Sequence, residues 1–359
     1  MRFRQHGLIA AALLLMTACA GPDHRPTSFV YLPGWERDSH AAALPAVAES
    51  CRAFARLADE QRLVYPGFEG TVADWRPICR DLAALPQGDD AAARAFFERW
   101  FTPVSVADPE AEDYRTGLFT GYYVPEVRGS RTPSDRFRVP VYGPPPGDLA
   151  SLSRAEIEAG ALAGRGLEIL WLDDAVDLFF MQIQGSGRVL LPDGSTVMLG
   201  YAGTNGHPYH AIGRTLIEWG EATREEMSMP FIRAWLEANP DRARALMNLN
   251  PAYIYFSLED GFARGSLGRP LTPGRSLAVD QRTWSLGYPF WVDIDGVPAE
   301  GRLQRLMVAQ DTGSAIRGPV RGDVFWGYGA EAGTIAGAMR AKGRYWALVP
   351  TAVVRRHEV

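Results

Sequence analysis

The sequence contains few cysteines, a single lysine and no long apolar segment. Its three cysteines leave room for at most one disulfide bond. Lys342 is the only lysine and the formal net charge is -5, and there is no basic run of the kind that binds nucleic acid. No phosphate-binding loop, dinucleotide fingerprint or convincing Ser-His-Asp set is present. These absences argue against nucleotide-dependent and nucleic-acid-binding functions, and no nucleic acid partner is expected.

The composition that remains is that of a folded protein rich in turns. Hydrophobic residues make up 47% and charged residues 22% of the chain, so a packed core is expected. The 37 glycines and 26 prolines favour short strands and turns over long helices. A length of 359 residues is enough for two domains. No internal repeat or low-complexity segment is found.

The N-terminus has the order of an export signal. Arg2 and Arg4 precede an apolar run from Leu8 to Met16, which is too short to span a bilayer, and Thr17-Ala18-Cys19 follows. Residues 1–18 are therefore predicted to be a signal peptide, and the sequence before Cys19 resembles a bacterial lipobox. An ordinary signal peptide cut nearby is the alternative.

A lipidated Cys19 would attach the mature chain to a membrane through its acyl chains. Ala20 follows it, and bacterial lipoproteins without Asp at this position usually go to the outer membrane, here on its periplasmic face. Residues 19–40 are rich in proline and polar residues and are predicted to form a tether. For an exported chain, Cys51 and Cys79 are candidates for one disulfide, with two buried thiols as the alternative.

Hydrophobic periodicity predicts helices at both ends of a β-rich region. Helical patterns cover residues 41–63 and 89–101 near the N-terminus, and 209–220, 229–236 and 241–247 further on. Short strands, which favour a small β-barrel or a sandwich, are predicted at 118–125, 137–142, 167–172, 178–183, 188–191, 196–201, 252–258, 287–292, 302–309, 324–327 and 344–349.

Asp323 stands in an unusual place for an aspartate. It opens an aromatic strand, with Phe325 on the same face. A carboxyl held against apolar surface loses hydration, which raises its pKa, and a neighbouring carboxylate such as Asp311 would raise it further. Such a group can act as a general acid near neutral pH. The alternative is that both aspartates only satisfy the backbone of turns.

Three other motifs have both a functional and a structural interpretation. Gln184-Gly185-Ser186-Gly187 could present amide and backbone donors to sugar hydroxyls, or form a glycine bulge or tight hairpin. Gly121-Tyr122-Tyr123 could be an aromatic platform for sugars, or core. Asp311-Thr312-Gly313-Ser314 spells an aspartic protease signature, but the second such turn that this chemistry needs is missing. His207 and His210 lack accompanying ligands at zinc-like spacing, so neither a metal nor a cofactor is expected.

Taken together, the motifs resemble the membrane-bound lytic murein transglycosylase A family. The similar stretches cover most of the chain from about residue 110, and the C-terminal part resembles a three-aspartate domain. In this domain the aspartates are Asp280, Asp311 and Asp323. The stretches that carry the resemblance are 119–123, 181–187, 201–207, 227–229 and 280–337, the last of which contains the three aspartates.

The resemblance implies a mainly β fold with helices, organised as two domains. Residues 41–124 and 236–359 would form a double-psi β-barrel domain, the first part helical and the second holding the three-aspartate region. Residues 125–235 would be an inserted β-rich, barrel-like substrate domain. The glycan would bind in the groove between the two.

The resemblance also implies the reaction and its residues. The β-1,4 bond between N-acetylmuramic acid and N-acetylglucosamine in peptidoglycan would be cleaved by attack of the muramic acid C6 hydroxyl, leaving a 1,6-anhydro ring. Asp323 would be the acid–base and Asp311 its supporting neighbour. Asp280 is placed with the substrate-binding residues, with a structural role as the alternative. The other residues expected to bind substrate are Thr120, Gly121, Tyr122, Gln184, Gly185 and Ser186.

Two other functions fit the same motifs. An inverting glycoside hydrolase on this fold would need a second carboxylate as base, with the two carboxyls roughly 6.5–9.5 Å apart. A non-catalytic peptidoglycan-binding lipoprotein would need neither aspartate for chemistry. The sequence assigns no protein partner.

Overall fold

The computed structural model describes residues 24–357 except 66 and 260. The predicted signal peptide and Cys19 lie outside the described residues. None of the helices described is long and apolar enough to cross a membrane.

The described chain forms β-strands and α-helices. The strands are β1 (Arg25–Pro26), β2 (Arg62–Tyr65), β3 (Phe68–Thr71), β4 (Phe101–Ser105), β5 (Gly117–Val124), β6 (Glu126–Ser130), β7 (Val139–Tyr142), β8 (Glu168–Leu172), β9 (Gly187–Leu190), β10 (Thr196–Thr204), β11 (Ile254–Glu259), β12 (Ser276–Val279), β13 (Pro289–Val297), β14 (Gly301–Asp311), β15 (Arg321–Tyr328) and β16 (Arg340–Pro350). The α-helices are α1 (Leu44–Phe54), α2 (Trp75–Ala83), α3 (Asp90–Trp100), α4 (Arg154–Glu158), α5 (Ala175–Gln184), α6 (Ile212–Glu218), α7 (Met229–Ala238), α8 (Pro240–Asn248), α9 (Gly329–Ala338) and α10 (Thr351–His357).

The larger sheet closes into a barrel. Six of its eight strands form the barrel in the order β16-β13-β14-β12-β15-β5, with β5 paired back onto β16, and β4 and β1 extend the sheet beyond β16. β15 runs parallel to β5, and β12 runs parallel to β14, while the other pairs in the barrel are antiparallel. Alternate side chains fill the interior, among them Phe119, Leu277, Val279 and Val324. The predicted mainly β fold with helices is confirmed, and the double-psi crossing stays a prediction.

Residues 24–40 are part of the folded domain and not of a tether. β1 pairs with β4, and Trp35 is only 1% exposed. The Trp35 ring packs edge-on against Trp291 of β13, with centroids 5.1 Å apart. Burying an indole removes a large apolar surface from water, which stabilises the contact of this segment with the domain. The proline and polar content of the segment does not indicate this contact. The tether predicted for 19–40 therefore does not extend beyond residue 24.

The second sheet forms the inserted unit, and it reaches further along the chain than predicted. Its strand order is β11-β10-β9-β6-β8-β7. β11 pairs with β10 over six registered positions from Met198 to Thr204, and its Phe256 is buried in the core of this sheet. The unit thus continues to residue 259 rather than ending at 235, because β11 completes this sheet and not the barrel.

Residues 178–183 were expected to be a strand but lie within helix α5. The side chain of Asp174 accepts a hydrogen bond from the Val176 amide and caps the helix N-terminus. The helix lies between two cores, with Leu178 and Met181 packed on the sheet side. Phe179 and Phe180 pack instead against the neighbouring helices. A helix with apolar residues on two faces lacks the single apolar stripe of an amphipathic helix, so the sequence resembles a buried strand.

A disulfide joins the first two helices. Cys51 of α1 and Cys79 of α2 are bonded, with their Cα atoms 5.6 Å apart. The two cysteines are 28 positions apart in the sequence, and the loop that the bond closes includes the β2–β3 hairpin. Cross-linking a loop of this length lowers the entropy of the unfolded chain.

Replacing Cys51 and Cys79 with serine is expected to lower the free energy of unfolding by about 3–4 kcal/mol, because the unfolded chain regains the entropy of this loop. The measurement is urea unfolding of the double variant beside the wild type, with and without reductant. Reductant should destabilise the wild type and leave the variant unchanged. Equal midpoints for wild type and variant would show that the bond does not hold the helices together.

Candidate functional site

One lateral row of residues crosses the outer face of the barrel. Strand register places Ala278 of β12 between Asp311 of β14 and Asp323 of β15, while Asp323 pairs with Thr120 of β5 and Thr120 with Arg340 of β16. Residues in direct register share a face, and the alternate residues along these strands point into the core. The two aspartates are therefore two strand spacings apart, roughly 10 Å between their Cα atoms. The small Ala278 side chain lies between them.

Asp323 is held through one of its two carboxylate oxygens. The Thr120 hydroxyl donates to Oδ1 of Asp323, and Nη1 of Arg321 lies 3.4 Å from the same oxygen. Arg321 also donates from Nη2 to Oγ1 of Thr120 at 2.8 Å. Within the described residues Oδ2 receives no hydrogen bond, and the side chain is 20% exposed. Oδ2 is thus available to a ligand.

The surroundings of Asp323 favour its protonated form. Burial raises the pKa of this carboxyl above its ordinary value, and the negative charge of Asp311 raises it further. The guanidinium of Arg321 opposes both effects, but the net direction remains upward. A carboxylic acid with a raised pKa and one free oxygen has the properties required of a general acid.

Asp311 uses both of its oxygens within the protein. Oδ1 accepts from the Ser266 amide at 2.9 Å, the Ser266 hydroxyl at 2.8 Å and the Thr312 amide at 2.9 Å. Oδ2 accepts from the Tyr122 hydroxyl at 3.1 Å. Burial raises the pKa of Asp311, and these donors act against that rise. Both oxygens of this carboxylate are therefore directed toward protein donors.

The third aspartate lies inside the protein. Asp280 is 1% exposed and binds the Arg282 side chain and the Gly318 amide, the latter at 2.9 Å. The Arg282 hydrogen bond holds the pKa of Asp280 well below its usual range. Asp280 therefore anchors the loop between β14 and β15. These contacts fit the structural alternative given for Asp280, and a substrate-binding role for it stays a prediction.

The predicted glycine and tyrosine of β5 have different roles. A Cβ on Gly121 would lie 2.7 Å from Nε1 of Trp326 and 2.9 Å from Cα of Ala336, so this glycine permits the close approach of α9 to β5. Tyr122 packs on Phe325 with ring centroids 5.2 Å apart. Burial raises the pKa of Tyr122 well above its ordinary value, which keeps its hydroxyl a donor to Asp311.

The Gln184-Gly185-Ser186 motif ends helix α5. Gly185 has φ 80° and its amide donates to the Met181 carbonyl at 2.9 Å, a C-terminal cap that favours glycine. Nε2 of Gln184 lies 3.7 Å from Sδ of Met229 in α7, and Ser186 is partly exposed. The glycine bulge predicted as the structural alternative is therefore a helix cap, and Gln184 lies at the contact between α5 and α7.

Sequence reasoning missed two residues of the site. Arg321 stands two positions before Asp323 on the same strand, so the period of two was a sufficient signal that both share a face. Ser266 lies 45 residues before Asp311, and no local pattern links them. The two candidate histidines are not paired: His207 contacts the Ser151 carbonyl and His210 the Thr215 hydroxyl.

Comparisons with known proteins agree with this arrangement. The model for the MltA-specific insert domain matches residues 118–257, and that for the 3D domain matches residues 275–349. Membrane-bound lytic murein transglycosylase A of Vibrio cholerae is 33% identical over 306 residues, which cover 83% of this chain and 82% of the Vibrio protein.

Solved structures give the same result. The crystal structure of a membrane-bound lytic murein transglycosylase from Agrobacterium tumefaciens superimposes with a TM-score of 0.81 at 32% identity, covering 93% of this chain and 99% of that one. The crystal structure of Escherichia coli MltA with bound chitohexaose gives a TM-score of 0.70 at 28% identity, covering 92% of this chain and 93% of the other.

Proposed function

The chain belongs to the membrane-bound lytic murein transglycosylase A family, and on this premise we propose that Asp323 is the single acid–base residue with which it cleaves peptidoglycan. The protein is a lytic transglycosylase that acts on the glycan strands. The bond that breaks joins C1 of N-acetylmuramic acid to O4 of N-acetylglucosamine. The product carries a 1,6-anhydromuramic acid end.

The reaction needs two proton transfers, and one carboxyl can perform both. Asp323 first gives its proton to the departing O4 as the C1–O4 bond breaks. The C6 hydroxyl of the same muramic acid then attacks C1, and its proton passes to the Asp323 carboxylate. The acid is thereby regenerated and no water is consumed. Thr120 and Arg321 hold Oδ1 and stabilise the carboxylate that exists between the two steps.

The single observation that carries this proposal is the contrast between the two aspartates. Asp323 has a raised pKa and a free oxygen, whereas both oxygens of Asp311 accept hydrogen bonds from protein donors. An inverting hydrolase needs a second carboxylate that is free to activate water. The arrangement supports a mechanism with one acid–base residue, in which Asp311 acts on Asp323 through its charge.

The substrate groove is proposed to run over the outer face of the barrel, between it and the inserted unit. The chitohexaose bound by the Escherichia coli relative supports a site for a β-1,4-linked chain of N-acetylhexosamines. Tyr122 orients Asp311 at the floor of this groove, and Gln184 and Ser186 are proposed to contact sugar hydroxyls from the end of α5.

Product analysis tests the proposal. Purified sacculi are incubated with the enzyme, and the released muropeptides are separated and weighed by mass spectrometry. The expected products are lighter by one water than those that a muramidase releases from the same sacculi. Muropeptides with reducing ends would replace the transglycosylase with a hydrolase, and no release at all would leave a binding protein.

The family name describes its members as membrane-bound. We propose that a lipid on Cys19 attaches this protein to the periplasmic face of the outer membrane. The lipobox-like sequence supports a lipid on Cys19, and the relatives named membrane-bound support attachment to a membrane.

Replacing Cys19 with serine is expected to move the protein from the membrane pellet to the soluble periplasmic fraction, because the acyl chains that anchor it are lost. Activity on sacculi in a cell-free assay should remain at the wild-type level, since the folded domain is unchanged. The measurement is fractionation followed by immunoblotting. A variant that still sediments with outer membranes in high salt would show that another surface attaches the protein.

A further inference from the structure

A groove of about 720 Å³ opens between the helices of the inserted unit. Residues from α5, α6 and α7 form its walls, and Arg340 of the barrel also lines it. The walls are largely apolar, with contributions from Phe180, Ile183, Ile217, Met227 and Ile232.

Arg340 lies at the end of the lateral row that contains Asp323 and also lines this groove. It is in register with Thr120, whose hydroxyl donates to Asp323. Residues in direct antiparallel register share a face, so Arg340 emerges on the outer face of the barrel, as Asp323 does. Two strand spacings separate the two residues, roughly 10 Å between Cα atoms. When a substrate lies at Asp323, a group attached next to its reacting centre can therefore reach the groove.

The charges along the groove favour an anion. Arg214, Arg224 and Arg340 line it together with one acidic residue, Glu218. All three arginines are exposed, and within the described part of the chain their side chains make no ion pair or hydrogen bond with protein. Three free guanidiniums around an apolar groove fit a ligand that carries carboxylates beside small apolar groups.

We propose that this groove binds the peptide stem of muramic acid, with Arg340 pairing a stem carboxylate. The inference rests on the proposed function, because within a glycan strand the stem meets the groove when its sugar lies at Asp323. Stem peptides combine alanine methyl groups with several free carboxylates, whereas N-acetylglucosamine carries no charge. Arg340 is then a specificity-determining residue that favours peptide-bearing strands over stripped ones.

The test compares glycan strands with and without the stem peptide. Glycan strands are used with their peptides and after removal of the peptides by an amidase, which leaves the lactyl carboxylate. Arg340→Gln is expected to lower kcat/KM on peptide-bearing strands about tenfold, mainly through KM, and to leave stripped strands within about twofold of wild type. Arg138→Gln is the matched control, because Arg138 is exposed just before β7 and does not line this groove.

Two kinetic outcomes would overturn the proposal. Equal losses on both substrates would mean that Arg340 binds the glycan or its lactyl carboxylate. Unchanged kinetics on peptide-bearing strands, with Arg340→Gln folded by circular dichroism, would mean that it binds neither.

A binding measurement separates this inference from the reaction itself. Calorimetry with a free stem tetrapeptide needs no turnover, and the expected result is binding to wild type that weakens about tenfold in Arg340→Gln. If the tetrapeptide binds in an Arg340-dependent way but the enzyme yields only products with reducing ends, the peptide site is upheld and the transglycosylase is rejected. Anhydro products without any tetrapeptide binding would uphold the transglycosylase and reject the peptide site.

Discussion

Replacing Asp323 with asparagine is expected to lower kcat by about 10³-fold or more, toward the upper end of the range for general acid–base catalysis. Asparagine keeps the size of the side chain and can still accept from Thr120, but it cannot give the leaving oxygen a proton. Because the same group also receives the C6 proton, both halves of the reaction lose their catalyst. KM should change little, since the residue contributes chemistry rather than binding.

The measurement is the initial rate of muropeptide release from sacculi, with folding checked by circular dichroism. Asp135→Asn is a matched control, because Asp135 is an exposed aspartate of the inserted unit and lies outside the lateral row that contains Asp323. Asp311→Asn should cost less than Asp323→Asn, because its effect on catalysis is indirect. A dead Asp311→Asn beside an active, folded Asp323→Asn would mean that the two roles are exchanged.

The second large effect is expected in the pH dependence of kcat/KM. The acid works only when protonated, so activity should fall about tenfold for each pH unit above the pKa of Asp323 in the free enzyme. Burial and the charge of Asp311 raise this pKa, so the fall should begin at a higher pH than an ordinary aspartate, with a pKa of about 3.9, would give.

Two variants should move this fall in opposite directions. Asp311→Asn removes a negative charge that disfavours the Asp323 carboxylate, so the pKa drops and the fall begins at lower pH. Arg321→Gln removes a positive charge that favours the carboxylate, so the pKa rises and the fall begins at higher pH. Purely structural damage would lower the maximum and leave the midpoint in place. Shifts in the same direction, or none, would contradict the assignment of Asp323 as the titrating acid.

Local patterns were sufficient where a helix or strand had one buried face. α7 begins at Met229 after Ser228, whose side chain accepts from the Phe231 amide, and this start follows from the sequence because serine and proline mark it. The barrel strands β14 and β16 were likewise predicted near their observed positions. α5 was predicted wrongly because its apolar residues face two separate cores, although Asp174 and Gly185 mark its two ends.

The site could be predicted in its residues but not in its geometry. The position of Asp323 on an aromatic strand indicated a raised pKa, because the composition of its immediate neighbours already implied burial. The protein donors on Asp311 come partly from Ser266 and Tyr122, which are distant in sequence and meet it only in the folded protein. Similarly, the burial of Trp35 depends on Trp291, and no pattern within residues 24–40 contains that information.

Digestion of sacculi in water enriched in heavy oxygen tests the central claim most directly. If the muramic acid C6 hydroxyl is the nucleophile and Asp323 serves both proton transfers, wild-type products should carry no heavy oxygen at the new muramic acid ends. Sacculi digested in parallel with a muramidase should give products with one heavy oxygen for each bond cleaved. Under the same conditions Asp323→Asn should release almost nothing. Heavy oxygen at the wild-type ends would show that water attacks C1, and would contradict the transglycosylase mechanism.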